Sequence, residues 1–412
     1  MKRIVLAISL LLPPATFAQT SLDDYRRSVA EYSRSLKTAV AQTDEAAETM
    51  GKARTGFLPQ LSLEGSFTAT VHHYEGLEQW TFGVLPQIVQ LVYGGGAVRA
   101  GYRRAALGYD IALCDYEFTL HEVRYAADYA YWNLSASELY AAAMREYVGL
   151  IRSLKRVIDD RFREGYIAKG DVLMIDTRLI EAEYEQVGAE KNYEVALHNF
   201  NILRGAAADA RVELVQSIRD TLVQPRREAW DRTLDRRSDY RAALLRTDQA
   251  AEGIRLAEAP YLPQVSVGIG GSWQPYVPNR TGETTVDGSA FVKLSLPIFH
   301  WGERRRAAGA ARAVQAQAEW RAAALLDAIR QEEMNGWTAV VKSLAQVETS
   351  ERSLRLASEN LDLSTYSYGE GLTTILDVLQ AQVSWIQLYS NAIRARYNYA
   401  VAVSDYLRIT AE

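Results

Sequence analysis

An internal duplication limits this chain to an architecture built from two similar halves. Phe57-Leu58-Pro59-Gln60-Leu61-Ser62-Leu63 returns as Tyr261-Leu262-Pro263-Gln264-Val265-Ser266-Val267. At the same offset, Thr43-Asp44-Glu45-Ala46-Ala47-Glu48 returns as Thr247-Asp248-Gln249-Ala250-Ala251-Glu252. Val92-Tyr93 and Gly96 match Ile298-Phe299 and Gly302, while Glu164-Gly165 and Asp171-Val172-Leu173 match Glu370-Gly371 and Asp377-Val378-Leu379. This second group shares an offset two residues longer, so a short insertion between Gln60 and Val92 separates otherwise parallel halves. Self-similarity of this kind marks a duplicated supersecondary unit.

Residues 1–18 read as a secretory signal: Lys2-Arg3, an apolar run from Ile4 to Leu12, and small Thr16 and Ala18 before the expected cleavage. Its removal takes two of the 46 basic residues and leaves 44 against 51 acidic ones, so the net charge of −5 becomes −7. Nothing in that balance points to a nucleic-acid partner. No cysteine follows the apolar run, so a lipid-anchored lipoprotein is not expected. The one cysteine, Cys114, has no intrachain partner, so burial and assembly must hold the exported chain. No later stretch has about 18 consecutive apolar residues, so no transmembrane helix is expected and membrane contact falls to strands.

Two halves, 19–204 and 238–412, flank a polar connector, 205–237, that contains Pro225 and suggests short helices. In each half a helix precedes a β-hairpin, and a long helical hairpin follows. The stretch from Ala97 to Phe162 lacks proline and is rich in Ala, Leu, Arg, Glu and Tyr, with apolar residues at three- and four-residue spacing. It predicts a helix on the order of 100 Å at 1.5 Å per residue, and Glu303 to Tyr366 predicts a second. Glycine-containing breaks follow at Glu164-Gly165-Tyr166 and Gly369-Glu370-Gly371, and helix resumes over 171–203 and 375–407.

The segment between the early helix and the long helix has period two. Leu61, Leu63, Phe67, Ala69 and Val71 alternate with polar residues, as do Val265, Val267, Ile269 and Trp273, and Val292, Leu294, Leu296 and Ile298. Trp80, Phe82, Val84 and Ile88 form a fourth, less regular run. Four strands of roughly ten residues with one apolar face match transmembrane β-strands. Four cannot close a barrel, and an open edge in lipid would leave backbone groups unpaired. Several copies must therefore contribute to one barrel. Gly94, Gly95 and Gly96 in the first half and Gly302 in the second are expected to bend strand into helix. The neighbouring Tyr93, Phe299, Trp301 and Arg304-Arg305-Arg306 suit a membrane interface; a solvated helix start is the alternative.

Other signals point to no chemistry. His72-His73 lacks the cysteine or carboxylate cluster that would complete a metal site and reads as an exposed loop. Gly268-Ile269-Gly270-Gly271 has the wrong glycine spacing for a phosphate loop, and no helix follows it. Cys114 reads as a small packing residue. Tyr125, Tyr129 and Trp132 form a helical aromatic stripe of the kind used between helices. No catalytic constellation and no cofactor or metal site is expected, so the chain does not read as an enzyme.

The duplicated Leu-Pro-Gln, Leu296-Pro297-Ile298-Phe299-His300-Trp301-Gly302 with its partner Gln90-Leu91-Val92-Tyr93-Gly94-Gly95-Gly96, and Tyr366-Ser367-Tyr368-Gly369-Glu370-Gly371 followed by Asp377-Val378-Leu379 together resemble the TolC family of outer-membrane efflux proteins. The resemblance covers essentially the whole mature chain. It implies a mainly α homotrimer in which each protomer gives four strands to a twelve-stranded outer-membrane barrel, continued by a helical tube across the periplasm. It also implies a passive exit duct, energised through a periplasmic adaptor by an inner-membrane pump of the resistance-nodulation-division or ABC type.

Carried onto this sequence, the family pattern places Asp377 at a periplasmic gate with Gln380, and Asp171 in the equivalent place of the first half. Three copies of Asp377 would form a carboxylate ring; a charge that complements its own helix dipole is the alternative. The sequence departs from the pattern at Gln380, where a second acid is expected, and in lacking the arginine just before the aspartate. Adaptor contact is expected at Gly165, Tyr166, Gly369, Gly371 and Leu372; the alternative is that the glycines only turn the chain. Leu61, Leu63, Phe67, Val265, Val267 and Ile269 are expected to face lipid. The competing reading is a periplasmic or secreted helical coiled-coil scaffold or binding protein, in which those apolar faces would be an aggregation liability.

Overall fold

Helix dominates because long proline-free, alanine-rich stretches leave little to interrupt it. The computed structural model describes residues 19–69, 71, 80–220, 223–276 and 284–412. The expected signal segment and His72-His73 lie outside these residues.

In chain order, β1 (Gln19–Thr20) leads into α1 (Leu22–Tyr32), α2 (Arg34–Thr55), and the strands β2 (Gln60–Ala69) and β3 (Trp80–Gly94). Then come α3 (Ala97–Arg163), α4 (Lys169–Leu203), β4 (Glu213–Leu214), α5 (Trp230–Arg236) and α6 (Ser238–Glu258). A short 3-10 turn, β5 (Gln264–Tyr276), β6 (Thr285–Ser295), α7 (Glu303–Gly369) and α8 (Ile375–Thr410) complete the chain. The duplication is visible in the element lengths. Helices α3 and α7 have 67 residues each, and α4 and α8 have 35 and 36.

The chain divides into two compact units. One comprises residues 37–118 and 237–328 and holds the sheet, whose strands run antiparallel in the order β2-β3-β5-β6. The two hairpins of the duplication thus join through β3 and β5, and β2 and β6 are left as edges. Within this unit Cys114 is buried with Ile111 and Ala242, in the packing role its sequence context suggests. Strand β6 stops at Ser295, short of the expected Ile298. Its partner strand begins at Gln264, opposite Ser295, and Pro297 has no N–H to extend a ladder.

The other unit contains the remaining residues from 19 onward: α1, most of α3 and α7, and all of α4 and α8. Its core is a run of close helix contacts. Ile175, Ala182, Ala189 and Ala196 recur every seven residues on α4 and are buried, as are Ile151, Leu154 and Ile158 of α3. Alanine at the repeat positions lets the helix backbones approach closely, as in a heptad seam.

The connector packs on this unit through contacts too short to leave a periodic signature. Glu213–Leu214 pairs in parallel with Gln19–Thr20. The buried Tyr131 hydroxyl donates to the Thr20 carbonyl at 3.1 Å and accepts from the Gln216 amide at 3.0 Å. Ser135 Oγ accepts from the Ile218 amide, and Arg227 pairs with the buried Glu333 at 3.0 Å. Of the short helices expected here, α5 is the one formed among the described residues.

Candidate functional site

The sheet register sorts side chains into two unlike faces. Leu61 pairs with Ile88, Ile88 with Ile269, and Phe67 with Phe82. Val267 pairs with Val292, and Val265 with Leu294. With Leu63, which faces Pro86, these residues put an apolar side chain on one face along all four strands. Most of them are exposed within the protomer. Gln90, opposite Val267, is a polar residue on that face. The opposite face carries Ser62, Glu64, Ser66, Gln87, Ser266, Asp287, Ser289 and Lys293, interrupted by Leu85, Val89, Leu91 and Phe291. Each of the six residues singled out from the alternation thus lies on the apolar face.

All four strand junctions with the helices lie at one end of this sheet, where Gly94 pairs with Gln264 and Gln264 with Ser295. The expected bend at Gly94 needs correction. It is the last residue of β3, and the chain turns at Gly95 (φ 61°) and Gly96 (φ 83°). In the second half Trp301 (φ 48°) and Gly302 (φ 79°) make the equivalent turn. Tryptophan in a left-handed conformation shows that backbone angle alone does not demand glycine here. At Gly95 the demand is close approach, since a Cβ there would lie 2.5 Å from the Ala259 carbonyl oxygen and 2.8 Å from Leu262 Cβ.

The helical hairpins turn by one device used twice. Gly165 (φ 83°) donates to the Phe162 carbonyl and Tyr166 to that of Arg161; Gly371 (φ 76°) donates to Tyr368 and Leu372 to Ser367. Both are Schellman motifs. An apolar contact between the last and first residues of such a motif is common, but here those first residues are Arg161 and Ser367. Tyr166 and Leu372 are left 77% and 78% exposed. Gly369, expected within the turn, is instead the last residue of α7, and its carbonyl accepts from Arg161 Nη2 at 2.9 Å. Arg161 also lies 4.7 Å from the centre of the Tyr368 ring, which ties the two hairpin ends together. That link joins residues of different halves and has no local sequence signal.

Asp377 is exposed and forms a capping box with Thr374 at the start of α8. Its Oδ2 accepts from Thr374 N at 3.0 Å, Thr374 Oγ1 at 2.6 Å and Thr373 Oγ1 at 2.7 Å. The two hydroxyls, Thr374 foremost, hold its carboxyl below the ordinary value of 3.8. Asp171 occupies the matching first turn of α4, but the cap there is Ala168, with no side-chain hydrogen bond. Gln380 is exposed one turn after Asp377.

Heptad spacing also leaves apolar side chains exposed on the protomer. Leu173, Ile180 and Val187 stand seven residues apart on the exposed side of α4, roughly opposite its buried alanine stripe. Met334 and Val341, then Leu356 and Leu363, repeat the spacing on α7. A cavity of about 1020 Å³ lies within the same unit, lined by residues that include Leu150, Leu154, Leu361, Trp385 and Tyr389. Among the described residues no helix is long and apolar enough to cross a membrane.

The sequence model of the outer membrane efflux protein family matches residues 26–206 and 229–408. Nodulation protein T of Rhizobium leguminosarum bv. trifolii is 25% identical over 408 residues, covering 93% of this chain and 84% of that protein. Outer membrane protein TolC of Escherichia coli (strain K12) is 23% identical over 394 residues, covering 89% of this chain and 77% of that protein. Among solved structures, the outer membrane protein VceC of Vibrio cholerae superposes with a TM-score of 0.81 at 18% identity, covering 94% of this chain and 95% of that chain.

Proposed function

The chain belongs to the outer membrane efflux protein family, and on that premise we propose that three copies form a passive exit duct across the outer membrane and periplasm. The observation that carries this reading is the sheet. It has one apolar face, a mostly polar opposite face and two unpaired edges, β2 and β6. Lipid cannot satisfy the edge N–H and C=O groups, so each edge requires a strand from another copy. Pairing β6 of one protomer with β2 of the next closes a twelve-stranded barrel, with Leu61, Leu63, Phe67, Val265, Val267 and Ile269 toward lipid.

The exposed stripes on α4 and α7 support the same assembly. They differ from each other, so a contact between them is head-to-tail, the kind that builds a ring when its rotation closes; closure of the barrel supplies that condition. The duct performs no catalysis. Its energy comes through a periplasmic adaptor, seated on Tyr166, Leu372 and the glycines Gly165, Gly369 and Gly371, from an inner-membrane pump. Gating lies at the same hairpin ends, with Asp377 and Gln380 of α8 and Asp171 of α4 near the constriction. Asp377 acts there through the start of α8: its cap fixes where the helix begins and therefore where the constriction stands.

The entrance is tested with Asp377→Ala in cells whose own exit channel has been deleted. Increased entry of a large antibiotic, with trimer formation unchanged, is the expected result. Unchanged entry removes Asp377 from the gate.

A further inference from the structure

We propose that the collar where the strands pass into the helices binds anionic glycerophospholipid headgroups of the periplasmic leaflet, an inference that rests on the membrane reading of the sheet. Four helix ends meet there within one compact unit. Phe57 after α2 and Tyr102 of α3 place their rings 5.9 Å apart. Gly95 before α3 abuts Ala259 after α6. Tyr261 and His300, which flank the β5–β6 hairpin, stand 5.3 Å apart.

The collar is rich in cations that meet no carboxylate among the described residues. Arg304, Arg305 and Arg306 are exposed, and none of their guanidinium groups meets a carboxylate among the described residues. The adjacent Glu303 lies beside the Tyr261 hydroxyl. Arg99 of α3 and Arg54 of α2 are likewise exposed and unpaired among the described residues. Dipole compensation explains Arg54, at a helix C-terminus, but not the others. Arg99 and Arg304 to Arg306 lie in the opening turns of α3 and α7, where positive charge opposes the helix dipole. Charges kept at that cost are matched by anions from outside.

Position identifies the anion. The collar continues directly from the apolar sheet face, so its cations lie at headgroup depth when that face is in lipid. Beside them, Phe299 and Trp301 pack edge to face at 4.8 Å, and Trp301 is 90% exposed despite its left-handed backbone. Exposed rings beside basic side chains suit the boundary between acyl chains and headgroups. Because successive helical residues turn by about 100°, Arg304 to Arg306 fan across the helix, and at least one points outward whatever the helix orientation.

The test compares the full-length protein with the triple variant Arg304→Gln/Arg305→Gln/Arg306→Gln. Both are reconstituted in vesicles of phosphatidylglycerol, phosphatidylcholine and lipid A, and retained lipid is read by native mass spectrometry after detergent extraction. The unaltered protein is expected to retain phosphatidylglycerol preferentially. The triple variant should lose about fivefold of that preference for each arginine that reaches the headgroups. Arg321→Gln, farther along α7, should leave it intact. Equal retention by all three proteins, equal loss in the Arg321 variant, or preferential retention of lipid A would each overturn the proposal. Failure of the unaltered protein to enter vesicles would overturn the membrane reading beneath it.

Discussion

Thr374 and Asp377 cap one another: the threonine hydroxyl accepts from the aspartate amide at 3.3 Å, and the carboxylate accepts from the threonine amide at 3.0 Å. The cap fixes where α8 begins and sets a pH window. The Asp377 carboxyl titrates below its ordinary value of 3.8, so its contribution is fully present above that value and is lost as pH falls through the lower, folded-state value. Lowering the pH from 7 to 5 should therefore leave the protection of amides in the first turn of α8, taken relative to their intrinsic exchange rate at each pH, unchanged, and protection should fall only below the ordinary carboxyl value of 3.8. Loss of that protection already at pH 5 would contradict the cap.

Gly95 and Gly96 should respond differently to alanine. Each carries a left-handed φ, worth about 1–2 kcal/mol for an L-residue, but only at Gly95 would the new Cβ meet backbone at 2.5 Å. Gly95→Ala should lower the thermal midpoint of the detergent-solubilised protein more than Gly96→Ala. Equal shifts would mean that the Ala259 contact relaxes at no cost.

The two sheet faces should tolerate charge unequally. Leu63→Arg or Val267→Arg should weaken membrane assembly by about 2–4 kcal/mol near the bilayer midplane. Ser62→Arg and Ser266→Arg, on the opposite face, should assemble normally. Yields in the heat-resistant outer-membrane fraction distinguish the faces, and a reversed pattern would invert the assigned orientation.

Arg26 holds Asp128 through two hydrogen bonds, of 2.5 and 2.6 Å, and only 3% of the aspartate side chain is exposed. Asp128→Ala would leave a largely buried guanidinium whose remaining carboxylate partner among the described residues is the exposed Asp23. The expected loss is about 3 kcal/mol, read as a lower urea midpoint for the helical unit. A shift under about 1 kcal/mol would show that water or Asp23 replaces the lost carboxylate.

The features legible in the sequence were those with a repeating physical cause. Proline-free alanine-rich runs marked α3 and α7 to within a few residues, and strict alternation marked the apolar sheet face. Gly165 and Gly371 were legible as turns because Schellman motifs favour glycine at the left-handed position. What escaped depended on contacts distant in sequence or on single residues in unexpected conformations. Trp301 takes the left-handed place that glycine fills in the first half. Tyr131 orders the connector through hydrogen bonds that no periodicity announces. The Arg161 link to Gly369 joins residues 208 positions apart. Thr374-x-x-Asp377 carries its capping signal in the sequence itself.

The most direct test is the mass and outline of the purified particle in mild detergent, determined by light scattering with detergent subtraction and by single-particle imaging. Three copies enclosing one barrel, with β6 of each protomer paired to β2 of the next, are the expected result. A monomer or dimer that stays in solution without detergent would contradict the duct and restore the helical scaffold.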